Sequence, residues 1–375
     1  MDNPVRFPWA EISLTALQKN FKTLQKKANN SKILPVVKAN AYGHGLIPIS
    51  KALVQFGAQM LAVAYVQEGI QLRKNGIQCP ILVLTPTLNF EIPDLLEYNL
   101  IPQISSLQGA LEISKIARRF KAKPIIHLKI DTGMRRVGFS IRNWKTDLNQ
   151  LFQLPNIQIR GIYTHLATAD MDNKKYTYKQ IDDFYHLIEQ IRKNFNRNLE
   201  IHIANSAAIL FHYSQVGGDW VRPGLSLYGV YPRMELLETN LLDPVMCLKT
   251  RVIHLKTILK NESVSYGRTF LAKKRTRVAT IGIGYADGLL RSLSNRGTCL
   301  IHGKMAPIIG TICMDMTMVD ISKISKVQIG DEVVLFGRGK NAYLPVEHQA
   351  KAAGTIAYEL LCAIGERVSR FYYEG

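Results

Sequence analysis

A lysine closes the first β-branched run of the chain: in VVKANAYGHG, Lys38 follows an apolar stretch and precedes glycines that let another group come close. An amine at the apolar end of a strand can be desolvated, which keeps it neutral and nucleophilic, the condition for Schiff-base chemistry. A lysine held in an ordinary ion pair would suit the same surroundings equally. Further on, HIANSAAIL sets Ser206 after another apolar run, and GGDWVRPGLSLYG brings Gly224 and the amide of Leu225. A hydroxyl and backbone N–H donors at adjacent barrel positions can cradle a phosphate, although a plain turn accounts for the glycine taken alone. In the last third, SVSYGRTF, IGYADGLLR and GTICMDM place Tyr266, Tyr285, Cys313 and Met314 beside glycines at strand ends. Taken singly, the two tyrosines read as half-buried strand residues, and Cys313 with Met314 as core packing.

The elements that must position these groups show in the apolar pattern. Short β-branched or leucine-rich runs recur at residues 34–38, 61–65, 81–84, 101–104, 125–130, 159–165, 200–204 and 225–230. Between them lie helical stretches, clearest at 107–120 and 178–195, with apolar residues every three or four positions. Eight β/α units in about 250 residues predict an α/β fold, an N-terminal (β/α)8 barrel of the TIM type whose chemistry gathers where the strands end. From Pro244 strand follows strand, as in VIHLKTIL, RVATIGIGYADG, TCLIHG and VVLFGRG, which predicts a mostly β C-terminal domain. The segment 236–243 has no strand pattern and ends near a proline, so the domains are placed at 1–238 and 239–375.

With 375 residues, 47% of them hydrophobic, the chain can bury two cores. Its net charge of +19 includes basic clusters at 26–27, 118–123 and 273–277. No nucleic-acid motif accompanies them, so they read as solvated faces and no nucleic-acid partner is expected. Five widely spaced cysteines, with no C-x-x-C pair, argue against a disulfide framework and a zinc site, so no metal is expected. No apolar run reaches the roughly 18 residues of a membrane span, and MDNPVRFPWAEI lacks the apolar centre of a signal peptide. The expectation is no membrane partner and a cytoplasmic location.

Together, VVKANAYGHG, HLKIDTGMRRVGF, GIYTHLATAD, HIANSAA, VRPGLSLYG, SVSYGRTF, IGYADG, GTICMDM and TIAYELLCAIGERV resemble alanine racemases in order and spacing, over residues 34–367. The resemblance implies that Lys38 carries pyridoxal phosphate on its amine and acts as base on the D-alanine face, with Tyr266 as base on the L-alanine face. It implies that Tyr42, Ser206, the amides of Gly224 and Leu225, and Tyr358 hold the phosphate. His165 would pack against the pyridine ring, and Arg222 would meet its nitrogen. Arg136 would sit near the cofactor phenolate and the substrate carboxylate, and the Met314 backbone would meet the substrate. Lys129 matches a position that is carbamylated in some relatives, where it orients the residue matching Arg136. A chain from His165 to Arg222 would support Tyr266. The resemblance further implies a homodimer with shared active sites, each barrel mouth closed by the β domain of the other chain, and D-alanine made for peptidoglycan. Two positions depart from the pattern: Arg135 stands where relatives often have a small residue, and Ala357 where they often have a polar one.

The chemistry accounts for such a set. Loss of the α-proton leaves a carbanion that a conjugated cofactor must delocalise. Racemisation then needs one base on each face of the α-carbon. An arginine at the ring nitrogen keeps its own proton, which disfavours transamination. A basic amino-acid decarboxylase of the same fold would want an acid there, and a racemase acting on serine or lysine is the other alternative, because one methylene changes discrimination by only about 1–3 kcal/mol.

Overall fold

The computed structural model describes residues 7–29, 31–142, 144–212, 216–339 and 342–374. The first six residues, part of the stretch read for a signal peptide, lie outside these. Contacts divide the chain into two units, one of residues 20–41 and 46–227, the other of residues 1–19, 42–45 and 228–375.

Strand β1 (Trp9–Ser13) belongs to the second unit. The first unit holds β2 (Lys32–Ile33), β3 (Leu61–Val63), β4 (Ile81–Pro86), β5 (Ile101–Ile104), β6 (Ile125–Asp131), a short flanking β7 (Phe139–Ser140), β8 (Gln158–Tyr163), β9 (Glu200–Asn205) and β10 (Trp220–Arg222). Leaving β7 aside, these lie in the order β2-β10-β9-β8-β6-β5-β4-β3, and every pairing is parallel. The ring closes just past β2, where Val37 N–H donates to the Ala62 carbonyl at 2.8 Å and Ala62 N–H to that of Pro35 at 2.9 Å. Helices pack outside it. Leu107–Arg119 starts at Ser106, whose hydroxyl accepts from Gly109 N–H, and buries Ala110, Ile113 and Ala117; Lys175–Phe195 buries Ile181, Phe184, Leu187, Ile188 and Ile191. Both follow the expected apolar periodicity.

The eighth strand is not where the apolar run 225–230 put it. Trp220–Arg222 is the strand, and Leu225–Tyr228 is a 3-10 turn. Pro223 has no N–H for a ladder and the chain turns there. The turn is nevertheless buried at Leu225, Leu227 and Tyr228, so its composition imitates a strand. The shift puts Gly224 and Leu225 after the eighth strand, on the chemically useful side of the barrel.

The second unit adds β11 (Met246–Ile258), β12 (Ser263–Val264), β13 (Phe270–Leu271), β14 (Thr276–Ile281), β15 (Thr298–Ile301), β16 (Lys304–Pro307), β17 (Thr317–Asp320), β18 (Glu332–Arg338), β19 (Tyr343–Leu344) and β20 (Ser369–Tyr373). Its main sheet runs β16-β15-β18-β11-β1-β20, with β14 on β11 and β17 on β14. The contiguous division expected at 238/239 differs from this arrangement in two places. β1 pairs antiparallel with β11 and parallel with β20, and Lys249 of β11 pairs with Glu11 of β1 at 2.9 Å and Glu332 of β18 at 3.1 Å. Tyr42–Gly45 also belongs here: Arg370 Nε donates to the Gly43 carbonyl at 2.8 Å and the Tyr372 hydroxyl to that of His44 at 2.9 Å. Among the described residues no helix is long and apolar enough to cross a membrane.

Candidate active site

Lys38 follows directly on the last residue that closes the barrel, and the chain then does something unusual. Ala39, Asn40, Ala41 and Tyr42 all have φ between 52 and 54°, a left-handed turn. Such backbone costs roughly 1–2 kcal/mol per residue, less for asparagine. Three hydrogen bonds oppose the cost: Ala41 N–H to the Val37 carbonyl at 2.8 Å, Leu46 N–H to Asn40 Oδ1 at 2.7 Å, and Ala39 N–H to Glu68 Oε1 at 2.6 Å. Backbone strain held this firmly is characteristic of functional sites.

Arg222, last residue of β10, is buried in the barrel interior. Its Nη1 donates to the His202 carbonyl at 2.6 Å and to His202 Nδ1 at 3.0 Å, and its Nη2 to the carbonyls of Thr164 at 2.7 Å and Ile203 at 3.1 Å. Because a guanidinium only donates, His202 Nδ1 must accept, and its proton sits on Nε2. That proton points at His127 Nδ1, 2.9 Å away. The chain leading away from Arg222 therefore runs through His202 to His127, and no hydrogen bond joins Arg222 to His165 among the described residues. The four Nη hydrogens of Arg222 go to groups that the barrel brings alongside it, and none of these four bonds reaches His165. Tyr163 stacks on His202 with centroids 4.5 Å apart, Lys129 Nζ lies 4.3 Å from the centre of the Tyr163 ring, and the Arg222 guanidinium 5.0 Å from it. Burial lowers the Arg222 pKa to about 10, so the group remains a cation at neutral pH. Burial, with Arg222 and Arg136 close by, pushes the Lys129 amine well below its ordinary value.

Arg136 is carried by the loop after β6, which the Asp131 carboxylate ties down by accepting from Gly133 and Arg135 N–H at 2.9 and 3.0 Å. Arg135, one of the two departures, takes a left-handed φ of 57° in this turn. Buried Gln180 joins that loop to the one carrying His165, donating to Thr132 Oγ1 at 3.1 Å and to the His165 carbonyl at 3.2 Å. Ser206 opens the helix Ser206–Phe211 after β9, and its Oγ accepts from Gly224 N–H at 3.0 Å and Ser226 N–H at 3.2 Å.

The remaining expected residues lie in the β-rich unit. Buried Tyr42 has its ring 5.9 Å from that of Tyr358, and burial raises the Tyr42 hydroxyl far above its ordinary value, leaving it a donor. Tyr266 and Tyr285 are not half-buried strand residues: both begin 3-10 turns and are 73% and 43% exposed. Met314 is likewise exposed, which rules out core packing. Tyr266 is aimed by its backbone. Ser265, at φ 65°, donates from Oγ to the Thr311 carbonyl at 2.5 Å, and Thr311 Oγ1 donates to the Tyr266 carbonyl at 2.8 Å.

Two family profiles match the chain, the alanine racemase N-terminal domain over residues 12–232 and the alanine racemase C-terminal domain over residues 245–372. The chain belongs to the alanine racemase family. It is 41% identical to the alanine racemase of Halothermothrix orenii, with 97% of this chain and 96% of that one covered. The structure of the alanine racemase of Clostridium difficile 630 superposes with a TM-score of 0.92 at 37% identity, covering 100% of this chain and 97% of that one. That of Bartonella henselae, with covalently bound pyridoxal phosphate, superposes with a TM-score of 0.89 at 29% identity, covering 98% and 100%.

The donor set of this family member fits an anionic cofactor. Lys38, Lys129, Arg136 and Arg222 all act on His165 from within the barrel unit, whereas Asp131 is the carboxylate acting on Lys129. Beside the amides that converge on Ser206, the Ser226 hydroxyl is buried with no hydrogen-bond partner among the described residues. Excess positive charge together with unspent donors favours a phosphate ester. His202, His127, Gln180 and Tyr163 were missed in the sequence. Polar residues inside apolar runs, His202 in EIHIAN and His127 in IIHLKID, were the available signal, since they mark side chains facing the barrel interior.

The buried imidazoles make the stability of this chain depend on pH. Burial and the nearby arginines push His127 down to about 3, and His202 well below its ordinary 6.5. The unfolded chain takes up these protons near pH 6.5 and the folded chain does not, so the unfolded state binds more protons below that pH and stability falls with acidification. Each imidazole contributes up to about 1.4 kcal/mol per pH unit in this window. Urea midpoints measured on cofactor-free protein are expected to drop steadily from pH 6.5 to 5; a flat profile would contradict neutral buried histidines.

Proposed function

We propose that this chain interconverts L-alanine and D-alanine with pyridoxal phosphate held covalently by Lys38, in a two-base reaction that supplies D-alanine for peptidoglycan. The observation that supports it most is the donor count at Arg222. Of five N–H donors, four go to His202, Thr164 and Ile203, and the Nε–H is left over, with no carboxylate paired to the guanidinium among the described residues. Arg222 thus offers a ring nitrogen a hydrogen bond but no transferable proton. When bound, the cofactor supplies the electron sink for the α-carbanion. The protein does the rest: Lys38 moves a proton on the D-alanine face and the Tyr266 hydroxyl on the L-alanine face. Ser206 and the amides of Gly224 and Leu225 bind phosphate, with Tyr42 and Tyr358 in the same role. His165 packs against the ring, Arg136 takes the substrate carboxylate, and the Met314 backbone meets the substrate.

Tyr266, Tyr285, Met314, Met316 and Ile356 are all exposed in the single chain, an open setting for a proton-transfer group that must exclude water. We take this as support for a homodimer with shared sites, in which the β-rich unit of one protomer closes the barrel of its partner, and we place the enzyme in the cytoplasm. Incubation with L-alanine followed by chiral separation should end with equal amounts of both enantiomers. Carbon dioxide release instead would identify a decarboxylase, and equal turnover of serine or lysine a broader racemase.

Lys129 is proposed to be carbamylated. Its neutral amine attacks the carbon of dissolved CO2, the N–C bond forms as a C=O π pair moves to oxygen, and the amine proton leaves to solvent. The resulting anion balances Arg136 and Arg222. Protein equilibrated with 13C-bicarbonate should show a carbamate carbon resonance that Lys129→Ala lacks, and the variant should lose about tenfold in activity, the scale of losing one group that orients a substrate-binding residue.

A further inference from the structure

We propose that Glu68 is a positioning residue for Lys38, its carboxylate holding the peptide group that follows the lysine and so setting where the amine is delivered. Glu68 is the third residue of the helix Val66–Lys74. One oxygen, Oε2, accepts from Ala64 N–H at 2.7 Å and Tyr65 N–H at 3.2 Å. That is an ordinary helix cap, and it needs a single oxygen. The other, Oε1, reaches Ala39 N–H at 2.6 Å, twenty-nine residues away in sequence. Helix capping does not call for that second bond.

The Ala39 N–H belongs to the peptide group of Lys38. Rotating that group would return Ala39 from φ 53° to the relaxed side of the map, which is the easy escape from the left-handed turn. Glu68 closes the escape: after rotation a carbonyl dipole would face the carboxylate and a charge-assisted hydrogen bond would be lost. On its other side Lys38 is fixed by the barrel closure, where Val37 N–H is bonded to Ala62. The same carboxylate holds the chain just past β3, so the ends of neighbouring strands share one acceptor. Lys38 is therefore gripped through its backbone on both sides, and its amine returns to one point after every departure. The consequence rests on the reading of Lys38 as cofactor lysine and D-face base: disturbing Glu68 should impair that half of the reaction.

Glu68→Gln keeps the size but turns an N–H2 toward one of the donors, and Glu68→Asp is too short to serve Ala39 and the cap together. Ser106→Ala removes the cap of another helix in the same unit and serves as control. Two readouts apply: the rate at which cofactor-stripped protein takes up pyridoxal phosphate, followed by visible absorbance, and the primary deuterium isotope effects with α-deuterated D- and L-alanine. For the Glu68 variants we expect uptake slowed by about tenfold or more, the scale of a misplaced reacting group, and an isotope effect that rises with D-alanine alone. Ser106→Ala should alter neither, at a comparable loss in Tm. Glu68 variants that track Ser106→Ala, or isotope effects that move alike for both enantiomers, would overturn the proposal. A wild type inactive on both enantiomers would refute the proposed reaction, and the uptake rates would still decide the role of Glu68.

Discussion

Lys38→Ala is expected to abolish the visible absorbance of lysine-bound cofactor and reduce turnover by at least about 10²–10⁴-fold, the range for removing a positioned acid–base group. On the proposed reading the amine is required twice, as the point of attachment and as the D-face base. The informative competitor is Lys129, whose amine is pushed well below its ordinary value by burial and by the nearby Arg222 and Arg136. Dialysed variant protein with added pyridoxal phosphate, reduced with borohydride and mapped by mass spectrometry, separates the two. A retained band with label on Lys129 would mean that Lys129, not Lys38, can hold the cofactor. Folding should survive the substitution, because the turn after Lys38 is held by backbone bonds to Val37, Asn40 and Glu68.

Tyr266→Phe is expected to cut α-proton exchange from L-alanine by about 10²–10⁴-fold while exchange from D-alanine stays within a few-fold. The side chain is 73% exposed, and the turn is held through the Tyr266 carbonyl by Thr311, so loss of the hydroxyl leaves the local fold intact. Solvent deuterium incorporation into each enantiomer measures the two faces separately. Equal losses on both would refute separate bases. The same variant tests the dimer. If each site draws Lys38 from one chain and Tyr266 from the other, mixing dissociated Lys38→Ala and Tyr266→Phe subunits yields heterodimers with one intact site. Random assembly would then restore about a quarter of wild-type activity, since half the dimers are mixed and half their sites complete. No recovery would place both residues in one chain's site.

How much of this was legible follows from the range of the interactions. The run 101–104 is the strand Ile101–Ile104 as expected, and the apolar periodicity at 107–120 is the helix Leu107–Arg119, because a strand or helix with one buried face must repeat its apolar residues locally. Lys38 and Ser206 are polar residues that follow apolar runs, and they lie after β2 and directly after β9, where a barrel collects its chemistry, whereas Arg222 was named by the family resemblance alone and proves to end β10.

What those residues touch was a different matter. Glu68 on the Ala39 amide, His202 between Arg222 and His127, and Gln180 bridging the loops of Arg136 and His165 each pair groups that chain order keeps apart. So does β1, which finds β11 and β20 more than two hundred residues later. The eighth strand slipped for the same reason: buried LSLY and strand WVR look alike in composition, and only pairing with β2 and β9 tells them apart. The sequence by itself determined the alternation of apolar runs and amphipathic helices along the barrel, since local periodicity writes that down. The tertiary structure alone decided the tautomers, charges and aim of the site's side chains, because a donor meets its acceptor only after the barrel has closed.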